Sequence, residues 1–482
     1  MTTQRVLSPF EISYFGRETH LGGVPIGGMP LFIGSTVRGP IDPAVLRRVL
    51  AELAANHALL RASVVTDPAG TQRFVLADGY HPALEVIDGG AGHYRKLVNS
   101  HQDWRTGLFH AQLLREPGRT QIVLILHHGI ADGRSAFALL AELWRRYTAH
   151  LAGSPLPLAD SDQSLIPGID TQLAALFSDE TVEAFLTQVR ATAAGMNPAA
   201  APRTLPRDGD GLLPPHGNQQ TGSSGARPGD GQETRNSDAP RQDLPQTGDP
   251  EGRAHNHTSA SADRERLAMR RIELSAQATA AFVAVARAQG LSVNSLLAGA
   301  AMAAARTEFP VDGPLPLLCG HAVDLRGNLS PTVPDSVVLN CVSGTGTPVV
   351  ADSGADPVEL AEMVAASMAE TLDTHFPALF MRASQTDLDP VSAALFAAPP
   401  TVALSNIGRI PAHSLPEGLE FIRDDIFAMA PGMPPKMTIF TVGDRLTIQV
   451  EYDTADHSHT QMGRIASAMD ALVHRVCDGA RQ

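Results

Sequence analysis

Residues 127–133 read HHGIADG. This short segment holds two imidazoles, a carboxylate and two glycines. A histidine titrates near neutrality, so it can take a proton from a hydroxyl or an amine and give it back within one reaction. Successive side chains on an extended strand point to opposite faces, so His127 and His128 cannot both address one cavity. One of them supports the structure and the other is free for chemistry. Asp132 lies across the turn from His128 and has three open roles: orienting the imidazole, capping the next helix, or pairing with a distant cation. Gly133 removes a side chain where something must pass close to the backbone. Each residue also has a plain reading. A histidine at a strand end is commonly a satisfied core residue, and Asp-Gly is ordinary turn and cap chemistry. No metal site is assigned, because adjacent histidines on one strand diverge.

The surrounding pattern places this segment at a strand-to-helix junction. Gln121 to Leu126 (QIVLIL) reads as a buried strand, and a helix starts at about Arg134 and runs through FALLAELWRRYTAH. Upstream, Asp42-Pro43 caps a helix with Leu46, Val49, Leu50 and Leu53 at helical spacing. HALLRASVV then turns into a strand, followed by the strand-like runs QRFVLA, ALEVID and HAQLLRE. In the second half, Ser275 caps a helix closed by Gly290, and SVNSLLAGAAMAAARTEF is a second, very apolar helix. LPLLCGHAVDLRG is a strand, DPVELAEMVAASMAETLDTHF a long amphipathic helix, TVALSNIGRIP a strand ending in a Gly turn, and RLTIQVEYD a half-buried strand before the last helix. Strands and helices interleave in both halves, which makes the class α/β.

The 482 residues suit two domains, and the 43% apolar content can fill two cores. From about Asn197 to Asp263 the composition shifts to Pro, Gly, Ser, Asp, Gln and Arg, and no aromatic residue occurs between Phe185 and Phe282. Such a stretch cannot bury enough apolar area to offset its ordering entropy. The expected division is therefore residues 1–196 as a first lobe, 197–263 as a disordered linker and 264–482 as a second lobe. A net charge of −14 argues against nonspecific nucleic-acid binding. Cys319, Cys341 and Cys477 are scattered and suggest neither a disulfide framework nor a zinc site. The start has no apolar signal core, and the run LLAGAAMAAA is too short to span a bilayer, so no transmembrane segment and a cytoplasmic setting are expected. Asn256-His257-Thr258 fits a glycosylation acceptor pattern, which arises often by chance.

HHGIADG matches HHxxxDG, the signature of the condensation-domain and chloramphenicol-acetyltransferase-like superfamily, at His127, His128, Asp132 and Gly133. HAVDLRGNLSP, from His321 to Pro331, resembles the VDLR stretch of the polyketide-associated acyltransferases and the alcohol acyltransferases. HALLR, the ARAQGLSVNSLLAGAAMAA helix pair, SNIG and LTIQVEYD also resemble segments of these proteins, in the same order. The resemblance implies two chloramphenicol-acetyltransferase-like lobes, each a mixed sheet with flanking helices, arranged as a V with a tunnel between them. It makes His128 the catalytic base. It pairs Asp132 structurally with Arg326, has His127 support the loop, and has Gly133 leave room for a phosphopantetheine arm. Ser405, Asn406 and Gly408 become candidate oxyanion or pantetheine contacts, with a plain strand-ending turn as the alternative.

The activity so implied is acyl transfer from a thioester, on an acyl carrier protein or coenzyme A, to a hydroxyl-bearing lipid or polyketide-type acceptor, giving an ester. Holding both reactants in line lowers the barrier without an enzyme nucleophile. The phosphopantetheine thioester is then a substrate, with no bound cofactor, and a monomer is expected. Two alternatives use the same residues: a freestanding condensation enzyme forming an amide from an amine, and a non-catalytic member that recruits a carrier protein.

Overall fold

A computed structural model of the chain describes residues 3–16, 18–77, 79–158, 164–197, 200–209 and 265–479. Residues 210–263 of the expected disordered linker 197–263, and the Asn256 glycosylation pattern with them, lie outside the described residues.

Among the described residues the architecture rests on two mixed sheets. The first has five strands, in the spatial order Glu420–Phe427, Pro30–Arg38, Arg119–His127, Phe109–Glu116, Leu84–Asp88. The second has six, in the order Leu267–Glu273, Arg445–Asp453, Lys436–Val442, Val402–Ile410, Leu315–Asp324, Val342–Ala351. The helices foreseen from caps and periodicity are present. Asp42 caps Pro43–Asn56, whose Leu46, Val49, Leu50 and Leu53 are buried, and Ser275 caps Ala276–Ala288. The apolar helix Val293–Arg306 is buried along nearly its whole length under the second sheet. No single helix among the described residues is long and apolar enough to cross a membrane.

Register explains the two faces of the second sheet. Along the strands Val402–Ile410, Lys436–Val442 and Arg445–Asp453, one face carries Val402, Leu404, Met437, Ile439, Ile448, Val450 and Tyr452, which fill a core beneath the helices. The opposite face aligns Ala403 and Ser405 with Lys436 and Thr438, then Glu451 and Gln449, then Met269 and Arg271. Period-2 alternation thus separates an apolar side from a polar one. The polar side looks toward the first lobe: Gln449 brackets the backbone of Ile426, accepting from its N–H at 3.1 Å and donating to its carbonyl at 2.8 Å.

Two boundaries differ from the sequence reading. The strand Glu420–Phe427 belongs to the C-terminal part of the chain, yet it pairs antiparallel with Pro30–Arg38 as an edge of the first sheet. The lobes therefore exchange a strand, and no cut at a linker separates them cleanly. Residues 200–209 are also not linker. Leu205 is buried in the second core, Arg203 N–H donates to the Pro316 carbonyl at 2.8 Å, and the Asp208 carboxylate takes the Ser458 N–H at 2.8 Å. One leucine and well-placed backbone partners suffice to seat this segment, although its composition is that of a loop.

Candidate active site

The strand Arg119–His127 delivers the histidine pair, and Pro30–Arg38 beside it fixes the register, with Pro30 opposite His127. His127 turns into the first lobe. Its ring stacks on Phe15 at 4.0 Å between centroids and meets Trp104 edge-on at 5.0 Å, while Nδ1 accepts the Gly129 N–H at 3.0 Å. Burial pushes its pKa down to about 3. His127 is thus a neutral, aromatically packed ring.

His128 points the other way. Its N–H donates to the Met29 carbonyl at 2.9 Å and its ring stacks on Tyr14 at 5.5 Å. Tyr14 comes from the helix Pro9–Phe15, which is held by a capping box between Ser8 and Glu11. Asn340 reaches the histidine from the other lobe: Nδ2 donates to the His128 carbonyl at 3.0 Å and lies 3.5 Å from its Nδ1. Burial, helped by the positive charge of Lys436, pushes the His128 pKa down to about 4. The imidazole is therefore unprotonated at neutral pH, the form a base requires. Burial likewise pushes the Tyr14 phenol up to about 12, so it remains a neutral O–H.

Asp132 fills two of its three open roles at once. As N-cap of the helix Gly133–Leu151 its Oδ1 accepts the Ser135 N–H at 3.0 Å. Its Oδ2 accepts from Arg326 Nη1 at 2.6 Å and from the Cys341 N–H at 2.8 Å. Arg326 goes on to donate to the Leu339 carbonyl at 2.8 Å and lies 3.1 Å from Asp324. Burial opposes its charge, but Asp132 beside it outweighs that and raises its pKa. The segment 339–341 is the clasp. Leu339, Asn340 and Cys341 supply a carbonyl, an amide side chain and an N–H to His128, Asp132 and Arg326.

Gly133 lies against the second lobe: a Cβ there would stand 2.3 Å from Ile407 Cδ1, so this glycine lets the two lobes pack closely. One reading of the site residues needs correction. The SNIG segment is not a strand-ending turn. Ser405 and Asn406 lie within the strand Val402–Ile410, which is bulged between Asn406 and Gly408, and Gly408 adopts φ +91°. The bulge seats Ile407 on Gly133. Asn406 turns toward the helices, taking the Gly408 N–H on Oδ1 at 3.0 Å and lying 3.4 Å from Asn294 Oδ1, so it does not face the cleft. Ser405 does share the cleft face with Thr438 and Lys436. The residues missed were Tyr14, Asn340 and Lys436. Asn340 had a faint signal, as a lone amide in the apolar run VVLNCV.

A family model described as "Phthiocerol/phthiodiolone dimycocerosyl transferase C-terminus" matches residues 263–451. A phthiocerol/phthiodiolone dimycocerosyl transferase of Mycobacterium ulcerans is 26% identical over 404 residues, covering 80% of this chain and 78% of its own. Among solved structures, polyketide synthase associated protein 5 from Mycobacterium tuberculosis superposes with a TM-score of 0.64 at 21% identity, over 98% of both chains. The first condensation domain of the CDA synthetase does so with a TM-score of 0.65 at 14% identity, over 98% of this chain and 96% of that one. With two open sheets, the HHxxxDG turn and these relatives, the chain is an acyltransferase with the fold of the condensation-domain and chloramphenicol-acetyltransferase-like proteins, similar in sequence to the phthiocerol/phthiodiolone dimycocerosyl transferases.

Proposed function

We propose that this acyltransferase moves an acyl group from a phosphopantetheine thioester to a hydroxyl of a lipid or polyketide-type acceptor, with His128 as general base. The observation that carries the reading is the state of His128. It is a buried, unprotonated imidazole held at the meeting of the two lobes by Met29, Tyr14 and Asn340. The names of the relatives, which transfer an acyl group to phthiocerol or phthiodiolone, support a lipid alcohol as acceptor.

His128 takes the hydroxyl proton as the oxygen attacks the thioester carbonyl. The C–O bond forms, the carbonyl electrons pass to oxygen, and collapse of the tetrahedral species breaks the C–S bond. The proton held by His128 leaves with the thiolate as a thiol. Ser405, on the cleft face, is the candidate donor to the oxyanion that remains from the SNIG segment. The thioester is a substrate here, and the reaction needs no cofactor of the enzyme's own.

The test is thiol release from acyl-coenzyme A with a mixed alcohol acceptor, for wild type and His128→Ala, with the product weighed by mass spectrometry. A folded His128→Ala protein is expected to lose about 10²-fold or more in rate, and the product to carry an ester. Equal rates for the two proteins would sink the base assignment. An amide product from an amine acceptor alone would shift the reading to condensation.

A further inference from the structure

A cavity of about 340 Å³ opens between the lobes, away from the HHxxxDG turn. Tyr94 and Arg95 line it from the first lobe, Arg270 and Arg271 from the second, and Arg423 and Asp425 from the exchanged strand. Four guanidiniums here face two carboxylates, Asp425 and Glu265, in a chain whose net charge is −14. The local excess of cations runs against the composition. Asp425 is 1% exposed and carries two arginines: Arg423 Nε stands 3.1 Å from Oδ2, and Arg271 contacts Oδ1. Its Oδ2 also takes Gln121 Nε2 at 3.1 Å.

One buried carboxylate does not balance two guanidiniums, and the second carboxylate near Arg271, Glu273 at 3.5 Å from its Nε, is more than half exposed. Burial, followed by the charge of Arg423, lowers the Arg271 pKa. Among the described residues no acceptor takes the Nη groups of Arg423, since its hydrogen bond runs through Nε. Tyr94 adds an independent sign. It is 6% exposed, lines the same cavity, and its hydroxyl has no hydrogen-bond partner among the described residues. A buried hydroxyl without a partner is costly unless something completes it. An anion with several acceptor oxygens would accept from both guanidiniums and from the phenol. Guanidinium forks suit a phosphate because two N–H groups meet two oxygens. A chain of charges links the cavity to the proposed base: the charges of Arg271, Arg423 and Glu451 act on Tyr94, Glu451 pairs with Lys436 at 3.1 Å, and the charge of Lys436 acts on His128.

We propose that Arg271 and Arg423, with the Tyr94 hydroxyl, bind the phosphate at the head of the donor's phosphopantetheine arm. The proposal rests on the thioester-donor reading given above. It accounts for the cation excess, for the guanidinium N–H groups left over by Asp425, and for the unpartnered phenol.

The experiment compares kcat/KM for one acyl group on coenzyme A, on phosphopantetheine and on pantetheine without phosphate, in wild type, Arg423→Gln and Arg423→Lys. Arg423→Gln is expected to lose about 10-fold on the two phosphorylated donors and little on acyl-pantetheine, with Arg423→Lys between. The same loss on an acyl carrier-protein donor would place the contact on a carrier-borne arm as well. An equal loss on all three small donors would make Arg423 a structural residue and overturn the proposal. A loss confined to coenzyme A would also overturn it, since the arginine would then read the nucleotide. Should wild type turn over none of the three, the donor reading fails by itself. Direct titration with coenzyme A then decides this proposal: about 10-fold weaker binding by Arg423→Gln sustains it, and equal binding ends it.

Discussion

The turn that carries His128 and the arginine cavity beside Tyr94 are built in opposite ways. In the turn the strong charges are almost all spent. Asp132 receives N–H groups from Ser135, Cys341 and Arg326, and Arg326 is taken up by Asp132, Asp324 and the Leu339 carbonyl, with its Nε alone left over. In the cavity a single buried carboxylate serves two guanidiniums and, among the described residues, a phenol is left without a partner. A saturated network fixes geometry, because any movement costs a buried bond. An unsaturated one leaves binding capacity for something that arrives. The contrast assigns rigidity to the first region and recognition to the second.

The largest expected effect breaks the saturated side. Asp132→Ala removes a helix cap and takes from Arg326, 3% exposed, the nearer and more buried of its two carboxylates, leaving Asp324 at 3.1 Å. Breaking one partner of a buried pair costs about 3–5 kcal/mol, so the urea midpoint should fall sharply. Asp132→Asn keeps the cap, since asparagine caps helices as well as aspartate does. It should recover about 1 kcal/mol of the loss, read from the same unfolding curves. A loss below about 1 kcal/mol for Asp132→Ala would mean that the lobes are held elsewhere and that the turn is less rigid than its bonds suggest.

The comparison also separates what the residues alone reveal from what they do not. The turn was legible because its parts are local: a buried strand, an Asp cap and a helix fall within one continuous run, and HHGIADG carries its own spacing. The Asp132–Arg326 pair joins positions 194 apart; only the family resemblance linked them, since no periodicity relates such distant residues. The strand exchange was invisible, because Glu420–Phe427 reads as an ordinary strand and nothing local says which sheet it joins. The packing partner of Gly133 was hidden for a similar reason. A glycine signals that backbone must be approached, but the neighbour that approaches, Ile407, is set by a bulge in another lobe. Asn340 was missed because its partners are backbone and ring atoms far along the chain.

An acid titration sharpens the same comparison. In the unfolded chain His127 and His128 protonate near pH 6.5, whereas in the folded protein they do so at about 3 and about 4. Between these values the unfolded state binds more protons, so stability is complete above pH 6.5 and falls as pH drops below it. At pH 4.5 each histidine should cost about 2–3 kcal/mol. His127→Gln should flatten the slope of unfolding free energy against pH between 6.5 and 4.5, even if it lowers stability overall. An unchanged slope would show that His127 is not held neutral. For the same reason the acid limb of kcat/KM should lie well below pH 6.5, provided the protein is shown to be folded at each point.

The smallest effect tests whether the clasp orients the base as well as holding it. Asn340 is 2% exposed and donates to the His128 carbonyl while accepting the Val342 N–H at 3.1 Å. Asn340→Ala gives up neutral hydrogen bonds and should cost about 1–2 kcal/mol of stability. If the amide also sets the imidazole's position, kcat should fall about 10-fold at unchanged KM, since small misplacements of a base are costly. Stability and kcat then report different things. A drop in stability with kcat intact would leave orientation to the Tyr14 stack and the Met29 bond, and Tyr14→Leu would become the variant expected to lower kcat.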